Sequence, residues 1–553
     1  MGSRSFVLRA GLLAVVSILP PACSTDTTIG GGNGGSAGQG GSSGAPGTGG
    51  TPGQGGSAGT GGITGSGGVT SGTGGRTSGS GGASATGGQT TVTGGVSGTG
   101  GMTTGTGGQG KGAGGIGVGG TGAGGTGTGG KGVGGTGVGG TGAGGTSAGG
   151  TGAGGTGAGG TGAGGTSAGG TTGTFVENEG IDCTVGAMPT PTANAKLPNP
   201  FKKLDGTIMA TKAEWRCRRQ EIVKLAETFA YGAKEGTPTT TGSVTASKIT
   251  VNVAQGGKTV SFTATITAPT SGSKPYPAII GYSMPGFSAL SIDASILNSE
   301  GVATIVYDVT QVGQEGTGRT SKAGAYYTLN GSTSKTGLLM AWAWGVSRII
   351  DVIQQSDGSI IKVDALGVTG CSRLGKGAFV AGAFDQRVAL SIPMESGSAG
   401  VPIWRGIPGE GAQTLSSAYG EQPWFGDAFS AFTSDPTKAP LDTHEVVALI
   451  APRGALILDN PGIANLGPKS AHVAALGGVE VYKALGVADV FSYHSDTTNG
   501  THCSVRTEYA QPTKDAIQRF LTKKGTVAGA IKASSSTTGK LSDWSDWTTP
   551  TLN

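Results

Sequence analysis

Residues 370–377, Gly-Cys-Ser-Arg-Leu-Gly-Lys-Gly, lie between two apolar segments of different character. The residues before them, 365–369 (ALGVT), are typical of a short buried strand, and those after them, 378–384 (AFVAGAF), of a packed helix. A strand that turns sharply into a helix through glycines carries the central serine, Ser372, at the tip of a strained turn. Its hydroxyl is then exposed, and the helix N-terminus favours developing negative charge. We interpret this stretch as a nucleophile elbow.

The elbow pattern is not complete by itself. The usual motif is Gly-x-Ser-x-Gly, whereas the second glycine here, Gly375, comes one residue late. The same eight residues would also suit a glycine-rich turn with an incidental serine. The rest of the chain therefore has to decide between the two interpretations.

Strand and helix patterns alternate on both sides of the elbow. A capping box at residues 211–214 opens a helix predicted over 212–230, and the next two alternating runs predict a β-hairpin at 248–254 and 258–267. Further strands are predicted at 278–282, 302–307, 388–392, 455–458 and 489–494, with helices at 338–350, 444–449, 469–485 and 508–521. This order predicts an α/β fold: a mostly parallel sheet with helices on both faces and an N-terminal β-hairpin.

A serine needs a base to take its proton, and the chain has four histidines. His444 and His472 belong to helical stretches and are expected to be structural or surface residues. His494 ends a predicted strand. His502 follows the last predicted strand in a polar loop, where hydrolases carry their base, so we favour His502 and keep His494 as the alternative.

The carboxylate that orients the base has two candidates. Glu395 ends the strand after the elbow helix, and Asp459 ends the strand after that one. The backbone N–H of Arg373, the residue after the serine, is the expected oxyanion donor, and its side chain is placed to assist. The chain order serine, acid, histidine matches the α/β-hydrolase arrangement, a three-layer sandwich.

The first 173 residues differ in composition from the rest. Two arginines precede an apolar run at residues 10–19, which is too short to span a bilayer and suits a signal peptide, assigned to residues 1–22. Residues 23–173 are almost entirely Gly, Thr, Ser and Ala. Such a segment buries too little apolar surface to fold, so we expect a disordered tether over these residues. Residues 174–553, which follow it, have the length of one large α/β domain.

The end of the leader resembles a bacterial lipoprotein cleavage site, in which Cys23 would become the lipidated first residue. Pro20 and Pro21 depart from that pattern, so ordinary signal cleavage is the alternative. We expect an exported protein, either secreted or tethered to the cell surface, with membrane contact only through such a lipid.

The charge of the chain gives no sign of a nucleic-acid partner. Five of the 37 basic residues and one of the 32 acidic residues precede residue 175, so the remainder carries 32 basic and 31 acidic side chains. The folded part is thus nearly neutral, and the overall surplus of five belongs mainly to the leader and tether. We expect a monomer that binds no nucleic acid.

Five cysteines in an exported chain predict two disulfides and one odd residue, for which Cys23 is the natural choice. Cys371 adjoins the elbow serine and Cys503 adjoins His502. A bridge between them would hold the two catalytic loops together, and Cys183 would then pair with Cys217. Without a Cys-x-x-Cys motif or a histidine cluster, we expect no metal site and no cofactor.

These residues resemble the glucuronoyl methylesterases of carbohydrate esterase family 15. The resemblance covers most of residues 200–525 and rests on segments 341–351 (AWAWGVSRIID), 370–378 (GCSRLGKGA), 395–397 (ESG), 420–425 (GEQPWF), 448–454 (ALIAPRG) and 502–503 (HC). It implies Ser372 as nucleophile, Glu395 as acid, His502 as base and Arg373 at the oxyanion, together with both disulfides. It also implies a metal-free serine esterase acting on esters between 4-O-methyl-glucuronic acid of xylan and lignin alcohols.

The resemblance also implies sugar contacts from Lys376, Gln413 and Glu421, the residue types that replace water around uronate hydroxyls. Fungal members have a sugar-contacting tryptophan in the loop after Asp459, whereas this chain offers Asn465 or Ala464; their third cysteine pair is also missing. Two other functions remain open, an esterase for acetyl or feruloyl groups on xylan and an inactive carbohydrate-binding surface protein.

Overall fold

The computed structural model describes residues 176–287, 290–526 and 529–553. The predicted signal peptide, Cys23 and the glycine-rich tether lie outside these residues.

A ten-stranded sheet forms the centre of the described domain. Its spatial order is β1-β2-β3-β5-β4-β6-β7-β8-β9-β10. The pairs β1–β2, β2–β3 and β3–β5 are antiparallel, and all remaining neighbours are parallel. The strands are β1 Thr239–Val244, β2 Lys248–Gln255, β3 Lys258–Thr267, β4 Tyr276–Ser283, β5 Ala303–Asp308, β6 Ile361–Cys371, β7 Leu390–Met394, β8 Gly454–Leu458, β9 Phe491–Ser495 and β10 Ile531–Ala533.

Among the described residues, one α-helix precedes β1 and eight lie on the connections between the strands. They are α1 Trp215–Ala226, α2 Ala294–Ser299, α3 Ala325–Asn330, α4 Leu338–Gln355, α5 Arg373–Phe384, α6 Leu415–Glu421, α7 Thr443–Ala448, α8 Pro468–Leu485 and α9 Ala510–Phe520. No helix in these described segments is both long enough and apolar enough to cross a bilayer.

Alternation along the central strands produces the three layers. In β8, Ala455 and Ile457 belong to the larger core, which also contains the buried faces of α1, α4, α5, α7 and α8. Leu456 and Leu458 point to the opposite face and join a smaller core with residues of α2 and α9. Because successive side chains of a strand point to opposite faces, a strand buried on both sides reads as a continuous apolar run. The predicted α/β sandwich is therefore confirmed, as is its N-terminal hairpin, β2–β3.

The structure adds two strands that the sequence patterns did not predict. The segment β1 (TTTGSV) is polar because it lies at the sheet edge, where only one of its side chains, Thr240, is buried. At the other edge, the three-residue strand β10 pairs in parallel with β9, so the predicted last strand is not the last. The helix predicted over 212–230 divides into a 3₁₀ turn, α1 and a π-helical turn at Glu227–Tyr231.

The C-terminal tail packs against the first residues of the domain. Trp547 donates its indole N–H to the Leu197 carbonyl at 3.1 Å and stacks near His444, with 6.1 Å between ring centroids. The Trp544 carbonyl accepts a hydrogen bond from the Leu197 N–H at 2.7 Å. Both tryptophans are half-buried and contribute to the packing of the domain.

Candidate active site

Ser372 lies between β6 and α5 with the backbone geometry of an elbow, φ 58° and ψ −129°. The glycines on either side allow this turn. A Cβ at Gly370 would lie 2.5 Å from the Leu374 carbonyl oxygen, and one at Gly375 would lie 2.4 Å from the Met394 carbonyl oxygen. Gly375 is thus required where α5 passes over β7, which explains why a glycine is needed one residue later than in the usual motif.

Positive φ values occur at three non-glycine residues around this turn, Ser372, Glu395 (44°) and Cys503 (63°). Such conformations cost about 1–3 kcal/mol each and persist only where the surrounding structure enforces them. They lie at the carboxyl ends of β6 and β7 and in the loop after β9. Because these strands are parallel, their carboxyl ends meet at one edge of the sheet.

His502 and Glu395 form a hydrogen-bonded pair at this edge. The His502 Nδ1 atom lies 2.7 Å from Glu395 Oε2, which also accepts the Cys503 N–H at 2.8 Å. The second carboxylate oxygen, Oε1, accepts a hydrogen bond from Arg506 at 3.3 Å. Glu395 is only 2% exposed, whereas the His502 side chain is 39% exposed. Because Nδ1 is occupied by the carboxylate, Nε2 is the ring nitrogen available to exchange a proton with a substrate or nucleophile.

A disulfide joins the elbow to the histidine loop. Cys371, immediately before Ser372, is bonded to Cys503, immediately after His502, with 5.7 Å between Cα atoms. The second disulfide, Cys183–Cys217, lies at the entry to the domain. Both pairings expected from the sequence are present, and the first one restricts the separation of serine and imidazole.

Replacing both Cys371 and Cys503 by alanine is expected to destabilise the domain by about 2–5 kcal/mol, because the bridge closes a long loop. Kinetic parameters should change as well: we expect kcat for ester hydrolysis to fall roughly tenfold, since the imidazole loses its tie to the elbow. Thermal unfolding and steady-state kinetics measure the two effects. The matched control, Cys183→Ala with Cys217→Ala, opens a loop of 34 rather than 132 residues and should leave kcat unchanged. An equal loss of kcat in the control would contradict the role of the Cys371–Cys503 bridge in positioning the imidazole.

Asp459, the other acid candidate, directly follows β8 but makes no hydrogen bond to His502 among the described contacts. Its Oδ2 atom is buried without a hydrogen-bond partner in the described residues, and its carbonyl accepts bonds from Tyr509 and Arg506. Burial, reinforced by the nearby Glu395 carboxylate, raises the pKa of Asp459 from 3.8 to about 7. The geometry therefore pairs the imidazole with Glu395 and leaves Asp459 as a buried carboxyl behind it.

The stability of the Asp459→Asn variant, measured relative to the wild type, is expected to increase as the pH rises. The pKa of Asp459 in the folded protein lies above its ordinary value. The wild type is therefore stabilised by the protonated carboxyl at low pH and loses this stabilisation as the pH rises from about 4 through about 7. Asparagine does not titrate. The difference in melting temperature, variant minus wild type, should therefore increase by a few degrees from pH 4 to pH 8. Parallel melting curves over this range would contradict the raised pKa.

The other three histidines have structural partners. His444 Nε2 lies 2.9 Å from the Pro198 carbonyl oxygen, and burial lowers the pKa of His444 to about 4. His472 Nδ1 accepts the Gly539 N–H at 3.0 Å. His494, the alternative base, is buried within β9 edge-on to Tyr509, and burial lowers its pKa.

Lys376 lies one helical turn after Ser372 and is 4% exposed. Its ammonium donates to the Ser396 carbonyl and lies 5.0 Å from the centre of the Trp424 ring. Burial lowers the pKa of Lys376 to about 8, with a smaller contribution from the positive charge of Arg373. A buried ammonium with one carbonyl partner retains donors for a polar ligand.

The other expected sugar-binding residues are hydrogen-bonded to one another. Gln413 donates to Glu421 Oε2 at 2.7 Å, and its backbone N–H donates to the Asn465 carbonyl at 3.0 Å. Asn465 is exposed in the short 3₁₀ turn Ala464–Leu466. Glu421 also accepts from Arg373 Nη2 at 3.2 Å, so this carboxylate connects the expected sugar site to the elbow.

Sequence reasoning missed three residues of this site. Glu315 accepts a hydrogen bond from Arg373 Nη1 at 2.9 Å, and Trp424 donates its indole N–H to the same carboxylate at 2.5 Å. Arg506 binds Glu395 on the side opposite His502. Glu315 follows β5 in a loop without a motif, so nothing in its spacing pointed to the elbow. Arg506 lies four residues after His502. This closeness in sequence to the base was the one signal that could have identified Arg506 as part of the site.

One group of potential metal ligands occurs among the described residues, Cys371, Glu395, His502 and Cys503. The two sulfurs are bonded to each other, so neither is a thiolate. The imidazole and the carboxylate are likewise engaged with each other. The donor set therefore does not fit a metal site.

An elbow serine beyond a central parallel strand, in this strand order, defines an α/β-hydrolase. A family model described as glucuronyl esterase, fungi, matches residues 251–486. Two relatives called 4-O-methyl-glucuronoyl methylesterase are each 38% identical to this chain. The match to the Hypocrea jecorina protein extends over 379 residues and covers 67% of this chain and 80% of the relative. The match to the Neurospora crassa protein extends over 378 residues and covers 67% of this chain and 93% of the relative. The chain belongs to the glucuronoyl esterase family of carboxylic ester hydrolases.

Solved structures agree with this assignment. The glucuronoyl esterase catalytic domain from Hypocrea jecorina matches with a TM-score of 0.61 and 37% identity, covering 67% of this chain and all of the other. A second match is a serine-to-alanine mutant of the Sporotrichum thermophile glucuronoyl esterase in complex with methyl 4-O-methyl-β-D-glucopyranuronate. Its TM-score is 0.59 and its sequence identity is 35%, and the match covers 67% of this chain and 100% of the other. The resemblance and the fold class predicted from the sequence are thereby confirmed.

Proposed function

We propose that this chain hydrolyses esters of glucuronic acid and 4-O-methyl-glucuronic acid through an acyl-enzyme on Ser372. The observation that carries the proposal is the pairing of His502 with the buried Glu395, tied to the elbow by the Cys371–Cys503 bridge. The complex of a relative with methyl 4-O-methyl-β-D-glucopyranuronate supports the uronate as the acyl group.

The chemistry follows from the positions of the proton acceptors and donors. His502 Nε2 takes the Ser372 proton as Oγ attacks the ester carbon, and Glu395 stabilises the imidazolium that forms. Arg373 is the first residue of α5, so its backbone N–H has no partner within the helix and is available to the oxyanion. The imidazolium then protonates the leaving alcohol, and water cleaves the acyl-enzyme by the reverse proton transfers.

The acyl side of the substrate would be held by polar groups. Lys376 provides an ammonium, Gln413 an amide and Glu421 a carboxylate, and together they can replace the water around the hydroxyls of a uronic acid. Asn465 lies where the resemblance expects a sugar contact, and its amide offers a hydrogen bond in place of an aromatic face.

The proposal is tested by comparing benzyl glucuronate with an acetyl ester of the same alcohol and with methyl ferulate. We expect kcat/KM for the glucuronate to exceed that for the other two by at least about a hundredfold, because only the uronate can engage the polar groups. Equal or higher values for the acetyl or feruloyl ester would favour the alternative acyl specificity. Complete absence of turnover, with retained polysaccharide binding, would favour a carbohydrate-binding surface protein.

We further propose that the leaving groups in nature are lignin alcohols esterified to glucuronoxylan and that the enzyme acts as a monomer outside the cell. Two disulfides support an oxidising compartment. Export through a signal at residues 1–22, acylation of Cys23 and a tether over 23–173 complete this proposal. Mass spectrometry of the mature N-terminus distinguishes a lipidated Cys23 from ordinary signal cleavage.

A further inference from the structure

Glu315 lies in the loop after β5, and this loop is fixed on both sides of the residue. The N–H of Gln314 donates to the Ala323 carbonyl at 2.9 Å, and the N–H of Gly316 donates to the Gln422 side chain at 2.7 Å. The Glu315 side chain is 10% exposed. A carboxylate on so constrained a backbone has little freedom to turn away from its partners.

The two oxygens of Glu315 have different partners. Oε2 accepts from Arg373 Nη1 at 2.9 Å, and Oε1 accepts from the Trp424 indole at 2.5 Å. The Arg373 guanidinium lies 5.5 Å from the centre of the Trp424 ring. Glu315 therefore holds both the cation and an aromatic ring beside it, which restricts the guanidinium in position and in direction.

A second carboxylate, Glu421, binds the same guanidinium less firmly. Its bond from Arg373 Nη2 is 3.2 Å, its side chain is 37% exposed, and it also accepts from Gln413. Exposed ion pairs are weak, and a sugar hydroxyl that donates to Glu421 would compete directly with Arg373. The two carboxylates thus differ in role, because one is buried and shared with a fixed ring, and the other faces the expected sugar site.

We propose that Glu315 is a positioning residue that keeps the Arg373 side chain directed at the oxyanion, while Glu421 releases Nη2 when the uronate binds. The inference rests on the proposed function, since it needs an acyl-transfer oxyanion beside Ser372. A donor acts in catalysis only if it is held where charge develops, and the Glu315 bond supplies that restraint.

The test contrasts the two carboxylates kinetically on benzyl glucuronate. Glu315→Gln keeps an acceptor for Trp424 but removes the charge facing Arg373, and we expect kcat to fall about 10–100-fold with KM within about twofold. Glu421→Ala is expected to raise KM about tenfold with kcat within about threefold, because it removes a sugar contact. A fall in kcat for Glu421→Ala as large as that for Glu315→Gln would overturn the division of roles.

A double-mutant cycle decides whether Glu315 acts through Arg373. If it does, Glu315→Gln combined with Arg373→Ala should lose no more kcat than Arg373→Ala alone. Additive losses of kcat in the double mutant would overturn the inference. Glu227→Gln is the matched control, because Glu227 forms an ion pair with Lys224 at 2.7 Å, is 13% exposed and lies away from the elbow; its kcat should be unchanged.

The failure of this inference differs from the failure of the proposed function. The proposed function fails if the wild type does not prefer the glucuronate. The inference fails if an active wild type and Glu315→Gln have equal kcat on whichever ester the wild type hydrolyses fastest. Retained coupling on an acetyl ester would support Glu315 as a positioning residue even where the uronate specificity is wrong.

Discussion

Replacement of Ser372 by alanine is expected to lower kcat for benzyl glucuronate by about 10⁴-fold or more, to the residual level that an oxyanion site and binding alone provide. The serine carries the covalent step, so no neighbouring group can replace its oxygen. The histidine, the carboxylate and the disulfide surround Ser372 without depending on its hydroxyl. The variant should therefore fold with an unchanged melting temperature, and the release of benzyl alcohol measures the loss.

Ser391→Ala provides the matched control for this substitution. Ser391 lies in β7, beside the strand that carries the elbow, and its buried hydroxyl has no hydrogen-bond partner in the described residues. Removing it should leave kcat unchanged. If Ser372→Ala retained wild-type hydrolysis, the nucleophile assignment would be refuted. If the wild type bound polysaccharide but hydrolysed no ester, the chain would act as a binding protein.

The layers of the fold could be predicted from the sequence because burial imposes periodicity. The central strands are buried on both faces and appear as apolar runs, and α4 is apolar on nearly every side. The elbow was also recognisable, because only glycine fits where α5 passes close to β6 and β7. Edge strands such as β1 and β10 lack this signal, since most of their side chains are exposed or only partly buried.

The arrangement of side chains within the site was only partly predictable. Glu395 and Asp459 directly follow neighbouring strands at the same sheet edge, so their spacing in the sequence alone could not choose between them. The choice depends on the histidine loop, where Cys503 turns with positive φ so that its N–H and the imidazole both meet Glu395. Glu315 reaches Arg373 across 58 residues of chain, a contact that only the tertiary structure establishes.

Replacement of Glu395 by glutamine is expected to lower kcat about 10³–10⁴-fold, with KM changed less than about threefold. An amide cannot stabilise the imidazolium and can turn its NH₂ toward Nδ1, which favours the wrong tautomer. Arg506 would also lose the charge that faces it in the buried interior, so we expect a lower melting temperature. Steady-state kinetics on benzyl glucuronate and thermal unfolding measure these two effects separately.

Asp459→Asn makes the same chemical change at the end of the next strand and therefore separates the two acids. Since Asp459 makes no described hydrogen bond to His502, and its pKa near 7 keeps much of it uncharged at neutral pH, its loss should leave kcat within about threefold. The opposite result, a large loss in Asp459→Asn and a small one in Glu395→Gln, would transfer the acid to β8. That outcome would require the imidazole to turn away from Glu395 during catalysis, although Oε2 holds both Nδ1 and the Cys503 N–H. The bond to the backbone N–H ties Glu395 to a loop that the disulfide already joins to the elbow, and for this reason we expect the loss to follow Glu395.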